Sequence, residues 1–250
     1  MARISERSEV MPEVRSLPLS ARLVDVLQGR DRLIPARAID QLAIGSILLA
    51  LIFADLAVGG PMLTFDRITA PLGLSRESPY RVYGDLLDHV GLRVVTIPIL
   101  LAVVLWLWRR GRGGIRPFVI TLLSVLSVNL VVGTLKVVVG RDNPLSGEPQ
   151  LFNHGIMWPS GHAANVTMTA ALVVYLLRTY GGLPIGRRLG MLMIAVPAFH
   201  MMVVSAVLGY HWVSDLAAGW IVGLMVAISV VGVVDNDAIL AEPERDLPLA

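Results

Sequence analysis

Six long apolar blocks separated by polar connections organise this chain: Gln41–Gly59, Val90–Trp108, Phe118–Val139, Ala163–Leu177, Leu189–Leu208 and Trp212–Val234. Most approach the ~20 residues an α-helix needs to cross a hydrocarbon core of ~30 Å. The fourth is short as drawn and is expected to extend outward through Ser160 and inward past Arg178. Inside a bilayer each segment must satisfy its own backbone polar groups, so all six blocks read as helices. The expected fold is all-α: a polytopic membrane protein built as a six-transmembrane-helix bundle. It divides into an Arg-rich segment 1–40, a membrane domain 41–234 and a polar tail 235–250 that reads as disordered. Residues 20–28 read equally as a short interfacial helix or as flexible chain. The proline-containing connection Gly60–His89 is expected to fold partly over one surface.

Arginine sets the orientation. Seven arginines lie in 1–40, four (Arg109, Arg110, Arg112, Arg116) follow the second block, and three (Arg178, Arg187, Arg188) follow the fourth. All fall on one side of a six-helix bundle. The positive-inside rule makes that side, and with it both termini, cytoplasmic. The segment before the first block lacks the short apolar core and cleavage site of a secretory leader, so that block reads as a retained signal anchor. The chain is 55% hydrophobic and 16% charged, which suits spanning helices better than a soluble core. A net charge of +2 gives no reason to expect a nucleic-acid partner. There is no cysteine, which excludes disulfides, thiolate metal sites and a cysteine nucleophile.

Unusual residues gather at the outer ends of the third, fourth and sixth blocks. Lys136 is the chain's one lysine, against twenty arginines, and it interrupts an apolar run where charge is costly. Taken alone, it is equally a lysine snorkelling to the interface. Pro159-Ser160-Gly161-His162 stands where a loop becomes a helix. Ser160 suits an N-cap, and a helix N-terminus with a glycine beside it suits a phosphate. By itself this is more often an ordinary capped helix. His211 and Asp215 are four apart, a spacing at which one helix face presents both. A carboxylate on one ring nitrogen fixes the tautomer and makes the other nitrogen a better nucleophile or base. Alone, such a pair is also a common helix-start ion pair. Together the three elements supply a nucleophile, an acid and an anion clamp on one side of the membrane, which phosphoryl transfer requires. His200, Asn129, Asn165, Thr167 and Thr169 read as packing contacts between helices. Asp55 reads as an interfacial residue with a mild functional hint. The His and Asp spacings offer no metal site.

These motifs resemble the type 2 phosphatidic acid phosphatase superfamily of membrane lipid phosphatases. That family's pattern is Lys-x6-Arg-Pro, then Pro-Ser-Gly-His, then Ser-Arg-x5-His-x3-Asp. This chain carries Lys136-x6-Asn143-Pro144, the complete Pro159-Ser160-Gly161-His162, and Val204-Ser205-x5-His211-x3-Asp215. Order, spacing and helical frame agree over about 41–234. Asn143 and Ser205 depart from the pattern, each standing where the family has arginine.

The resemblance implies a role for each matched residue. His211 is the nucleophile that forms a phosphohistidine, and Asp215 orients it. His162 protonates the leaving group and then activates water. Lys136, Arg141, Asn143, Ser160, Gly161 and Ser205 are the expected phosphate-binding positions. No metal or organic cofactor is implied. The expected function is removal of phosphate from a prenyl or glycerolipid phosphate or diphosphate at the extracytoplasmic face of the cytoplasmic membrane. The expected partners are that lipid substrate and the bilayer. Two alternatives stand beside it: transfer of a phosphorylated head group between lipids, and a catalytically silent lipid-binding protein. A phosphodiester carries less charge than a monoester and needs fewer cationic clamps.

Overall fold

The computed structural model describes residues 36–70, 73–75, 77–145 and 148–235. In chain order the helices are α1 (Ala36–Val58), α2 (Pro61–Thr69), α3 (Arg81–Asp88), α4 (Arg93–Arg109), α5 (Arg116–Val139), α6 (Gly161–Thr179), α7 (Arg187–Val207) and α8 (Val213–Val234). A 3-10 turn, His89–Gly91, joins α3 to α4. Among the described residues the one β feature is an isolated bridge between Arg141 and Leu151.

Each apolar block becomes one long helix. Helices α1, α5, α7 and α8 are long and apolar enough to cross a membrane, and α4 joins them if it is counted with α3 across a bend of 43°. The bend falls at Leu92, where the backbone is extended. This is a multi-pass membrane protein. Helix α6 extends past both ends of its apolar block, as expected, and is the most polar of the long helices. Its first turns carry His162, Asn165, Thr167 and Thr169.

Helix α8 lies at the centre. Its buried face carries Val222, Val226 and Val230, which cluster with Leu100 of α4, Val128 and Val132 of α5, and Ala164, Met168 and Leu172 of α6. On its other side Ala218 packs with Ile52 and Leu56 of α1. Two glycines set the α6–α8 distance. A Cβ on Gly219 would lie 2.5 Å from the Ser160 carbonyl oxygen, and one on Gly223 would lie 2.4 Å from that of Ala164. Only glycine permits this approach, the device by which small residues let membrane helices pack backbone to backbone. The contact sits one turn below the start of α6, so it also fixes where Ser160 and His162 stand.

The described residues of the connection 60–89 include two short helices, α2 and α3. Pro61 begins α2, and the Asp55 carboxylate accepts a hydrogen bond from Met62 N at 2.8 Å. Asp55 therefore has a capping role that accounts for an ionisable group at that depth. At the other end of the bundle, Asp235 does not belong to a polar tail. It is buried, accepts from Tyr175 Oη at 2.6 Å and from Tyr180 Oη, and pairs with Arg116 at 3.2 Å. Three donors at the ends of α5 and α6 compensate its charge, which a disordered segment could not do. The segment 1–35, with the interfacial helix expected at 20–28, and residues 236–250 lie outside the described residues.

Candidate active site

The chain between α5 and α6 folds back onto the end of α5. Phe152 N donates to Val139 O at 2.8 Å, Asn153 N to Gly140 O at 2.8 Å, and Met157 N to Arg141 O at 2.9 Å. Gly140 ends α5 with a φ of 52°, a left-handed conformation that favours glycine. The hairpin-like return delivers Ser160 to the start of α6, where its Oγ accepts from Ala163 N at 3.4 Å as an N-cap. Ser160 N in turn donates to Asp215 O at 2.9 Å, which ties the start of α6 to the start of α8.

His211 does not sit on a helix face. It precedes the N-cap of α8, Trp212, and meets Asp215 across the helix's first turn. The physical reason is the cap itself. Asp215 Oδ2 accepts from Trp212 N at 3.1 Å, which turns the chain outward before the helix begins. The same oxygen lies 3.4 Å from His211 Nδ1. An Nδ1–H directed at a carboxylate leaves Nε2 as the lone-pair nitrogen. Asp215 is fully buried, and its Oδ1 accepts from Arg141 Nη1 at 2.5 Å.

Arg141 is an expected phosphate ligand that the fold employs elsewhere. It is fully buried and makes four hydrogen bonds: Nε to Pro149 O at 2.9 Å, Nη1 to Ser214 Oγ at 2.7 Å and to Asp215 Oδ1, and Nη2 to Asp66 Oδ2 at 2.7 Å. It stands behind the Asp215 carboxylate and is not among the residues that line the cleft described below. Asp66, on α2, completes this buried network by accepting from Ser214 N at 3.1 Å and from Ser214 Oγ. Burial pushes the Asp66 carboxyl above its ordinary range, against the opposing pull of Ser214 and Arg141.

In front of this network opens a cleft of about 640 Å³. Lys136, Asn143, His162 and His211 line it, together with Arg81, Asp88 and Tyr210 from outside the motifs. Lys136 Nζ donates to Ile156 O at 2.5 Å, so the lysine is held by the α5–α6 return and does not snorkel away. Asn143 Oδ1 accepts from Leu145 N at 2.9 Å. A second groove, of about 460 Å³, shares Lys136 and His162 with the cleft and continues past Gly161, Asn165, Asn129 and Val132 between α4, α5 and α6. The structure thus brings His211, His162, Lys136 and Asn143 to one cleft, with Gly161 beside it. Ser160 and Asp215 are buried behind, and Ser205 is buried apart from it.

Ser205 does not reach the cleft as a phosphate ligand either. Its Oγ donates to Asp88 Oδ1 at 2.5 Å, and Asp88 Oδ2 lies 3.6 Å from His162 Nε2. Where the motif has an arginine, this chain has a serine holding a carboxylate against the second histidine. The site therefore contains two His–Asp pairs. Sequence reasoning missed Asp66, Asp88 and Arg81, all in the 60–89 connection. The available signal was that this segment repeats Asp and Arg within amphipathic stretches too short to span a membrane. Among the packing residues, His200 Nε2 meets Leu87 O at 3.3 Å and Asn165 Nδ2 reaches Gly91 O at 3.4 Å, both between elements. Asn129 instead donates to Val125 O in its own helix at 2.7 Å. Among the described residues no group of His, Asp and Glu is arranged to hold a metal ion.

No curated protein matches this chain. The fold is similar to that of a transmembrane PAP2 type phosphatidylglycerolphosphate phosphatase from Bacillus subtilis. The TM-score is 0.61 at 19% identity, covering 78% of this chain and 94% of that one. Residues 117–238, which contain Lys136, Pro159–His162, His211 and Asp215, match the family described as the PAP2 superfamily, the family that the sequence motifs resemble.

Proposed function

We propose that the protein is an integral membrane lipid phosphatase with six spans and both termini in the cytoplasm. In this reading it acts on a prenyl or glycerolipid phosphate or diphosphate at the extracytoplasmic face of the cytoplasmic membrane. The observation that carries the reading is the cleft, where His211, backed by the buried Asp215–Arg141 pair, opens on the same space as His162 and Lys136. His211 Nε2 attacks phosphorus while the bond from phosphorus to the leaving oxygen breaks, and His162 gives that oxygen a proton. Asp215 accepts from Nδ1 and stabilises the charge that develops on the ring. His162, now neutral, takes a proton from water. The water oxygen attacks phosphorus, the P–N bond breaks, and phosphate leaves with His211 restored. Lys136 and the N–H groups at the start of α6 hold the non-bridging oxygens. The fold similarity to a phosphatidylglycerolphosphate phosphatase adds support for a phosphorylated lipid.

One observation favours a second reading. The Asp88 carboxylate lines the cleft where the family pattern places an arginine, and a carboxylate there tolerates a singly charged phosphodiester better than a doubly charged monoester. Transfer of a phosphorylated head group to an acceptor lipid fits that charge balance. The test is release of inorganic phosphate by the purified protein in detergent from prenyl diphosphate, prenyl phosphate, phosphatidic acid and phosphatidylglycerol phosphate. Release that His211→Ala abolishes supports the phosphatase. Product formation only when an acceptor alcohol is present supports transfer.

A further inference from the structure

We propose that Arg81, delivered by α3 and not by any motif, is the second cationic ligand of the substrate's phosphate and supplies the charge that position 143 lacks. This rests on the reading of the cleft as a phosphoryl-transfer site. Of the residues lining that cleft, Arg81 and Lys136 are the two cations. The other candidate, Arg141, has its guanidinium spent on Asp66, Asp215, Ser214 and Pro149.

The placement of Arg81 suits the role. Its Nη2 donates to Leu208 O at 3.0 Å and its Nη1 to Leu74 O at 3.4 Å. Its guanidinium carbon lies 5.1 Å from the centre of the Tyr210 ring. Tyr210 is itself fixed, because its Oη donates to Asp85 Oδ1 at 2.7 Å. Arg81 is thereby locked onto the turn Leu208–His211 that carries the nucleophile. A guanidinium has five N–H donors, so two bonds to carbonyls leave donors for an anion. The residue is half-buried, which permits contact with a ligand while limiting the screening of its charge. Asp88 at the other end of the same helix faces His162. An eight-residue helix spans roughly 12 Å. Helix α3 therefore serves both histidines, with a cation at the first and a carboxylate at the second.

A staple that merely held the Leu208 turn would show the same carbonyl contacts, and a charge-transplant experiment separates the two roles. Binding of orthovanadate, a mimic of the transferring phosphoryl group, is measured in detergent by its effect on thermal unfolding, alongside kcat and KM for the best lipid phosphate. Arg81→Gln is expected to weaken vanadate binding about tenfold or more, the scale of a charge-assisted hydrogen bond, and to raise KM. Adding Asn143→Arg to that variant is expected to recover most of the loss, because the charge returns to the same cleft. Unaltered vanadate binding in Arg81→Gln overturns the proposal, as does a loss that Asn143→Arg leaves in place. If Arg81→Gln does not fold, Asn143→Arg alone carries the test. A gain under about twofold supports an already supplied charge, and a tenfold gain contradicts it. A wild-type protein that neither binds vanadate nor releases phosphate overturns the phosphatase reading itself, and this inference with it.

Discussion

Replacing Arg141 by methionine isolates the ionic network behind His211. The side chain is fully buried, as are its partners Asp66 and Asp215, and the contacts are 2.7 Å and 2.5 Å. Methionine fills much of the volume but leaves two buried carboxylates without their shared cation. Removing one member of a buried ion pair costs about 3–5 kcal/mol, chiefly because the remaining charge is stranded. The expected loss is in that range, read as unfolding free energy from a denaturant titration in micelles. Arg141→Lys is expected to fall only partly short of it, because a point charge cannot serve Asp66, Asp215, Ser214 and Pro149 at once. Burial already raises the Asp66 carboxyl, so the folded state holds that proton to a higher pH than the unfolded chain does. On this account stability falls as pH rises through the interval between the two values. Removing the Arg141 charge widens the interval, so Arg141→Met is expected to be more destabilising near pH 8 than near pH 5. Adding Asp66→Asn to Arg141→Met is expected to recover part of the loss. A loss under about 1 kcal/mol, with no recovery in the double variant, refutes the assignment of this network to stability and returns Arg141 to the candidates for substrate binding.

Gly219→Ala places a Cβ 2.5 Å from Ser160 O and 2.9 Å from Ala163 Cβ. It is expected to cost about 1–3 kcal/mol as an overpacked contact and to lower kcat by shifting the start of α6 away from His211. Unchanged kcat in a folded variant would show that the α6–α8 spacing does not set the site. Asp88→Asn keeps the shape of the Ser205 contact and removes the carboxylate facing His162. The expected result is a kcat about 10–100-fold lower, a part of the ~10²–10⁴ that a general acid contributes, at nearly constant KM and stability. A rise in KM without a change in kcat would instead place Asp88 among the groups that only contact substrate.

The helical frame was legible because the blocks are long and the bilayer leaves few alternatives to helix. That Pro159–His162, His211 and Asp215 come close together was legible from their spacing, although His211 lies in the turn before α8. What escaped was every residue whose role depends on a partner distant in sequence. Asp66 and Arg141 are 75 residues apart, Asp88 and Ser205 are 117 apart, and no local periodicity joins them. Arg141 stands beside the motif position in sequence, and its burial against Asp66 and Asp215 depends on the return of the chain after Gly140. Asp235 looked like the start of a tail because polar residues follow it, whereas Tyr175, Tyr180 and Arg116 reach it from other helices.

The most direct test of the mechanism is covalent trapping. The purified protein is mixed with a lipid monophosphate radiolabelled in its phosphate, quenched in alkali within the first turnovers, and assayed for protein-bound label that is stable in alkali and released by acid. Label that maps to His211 and disappears in His211→Ala, together with loss of phosphate release, is the predicted result. Full phosphate release by His211→Ala, or a label carried by another residue, would contradict it.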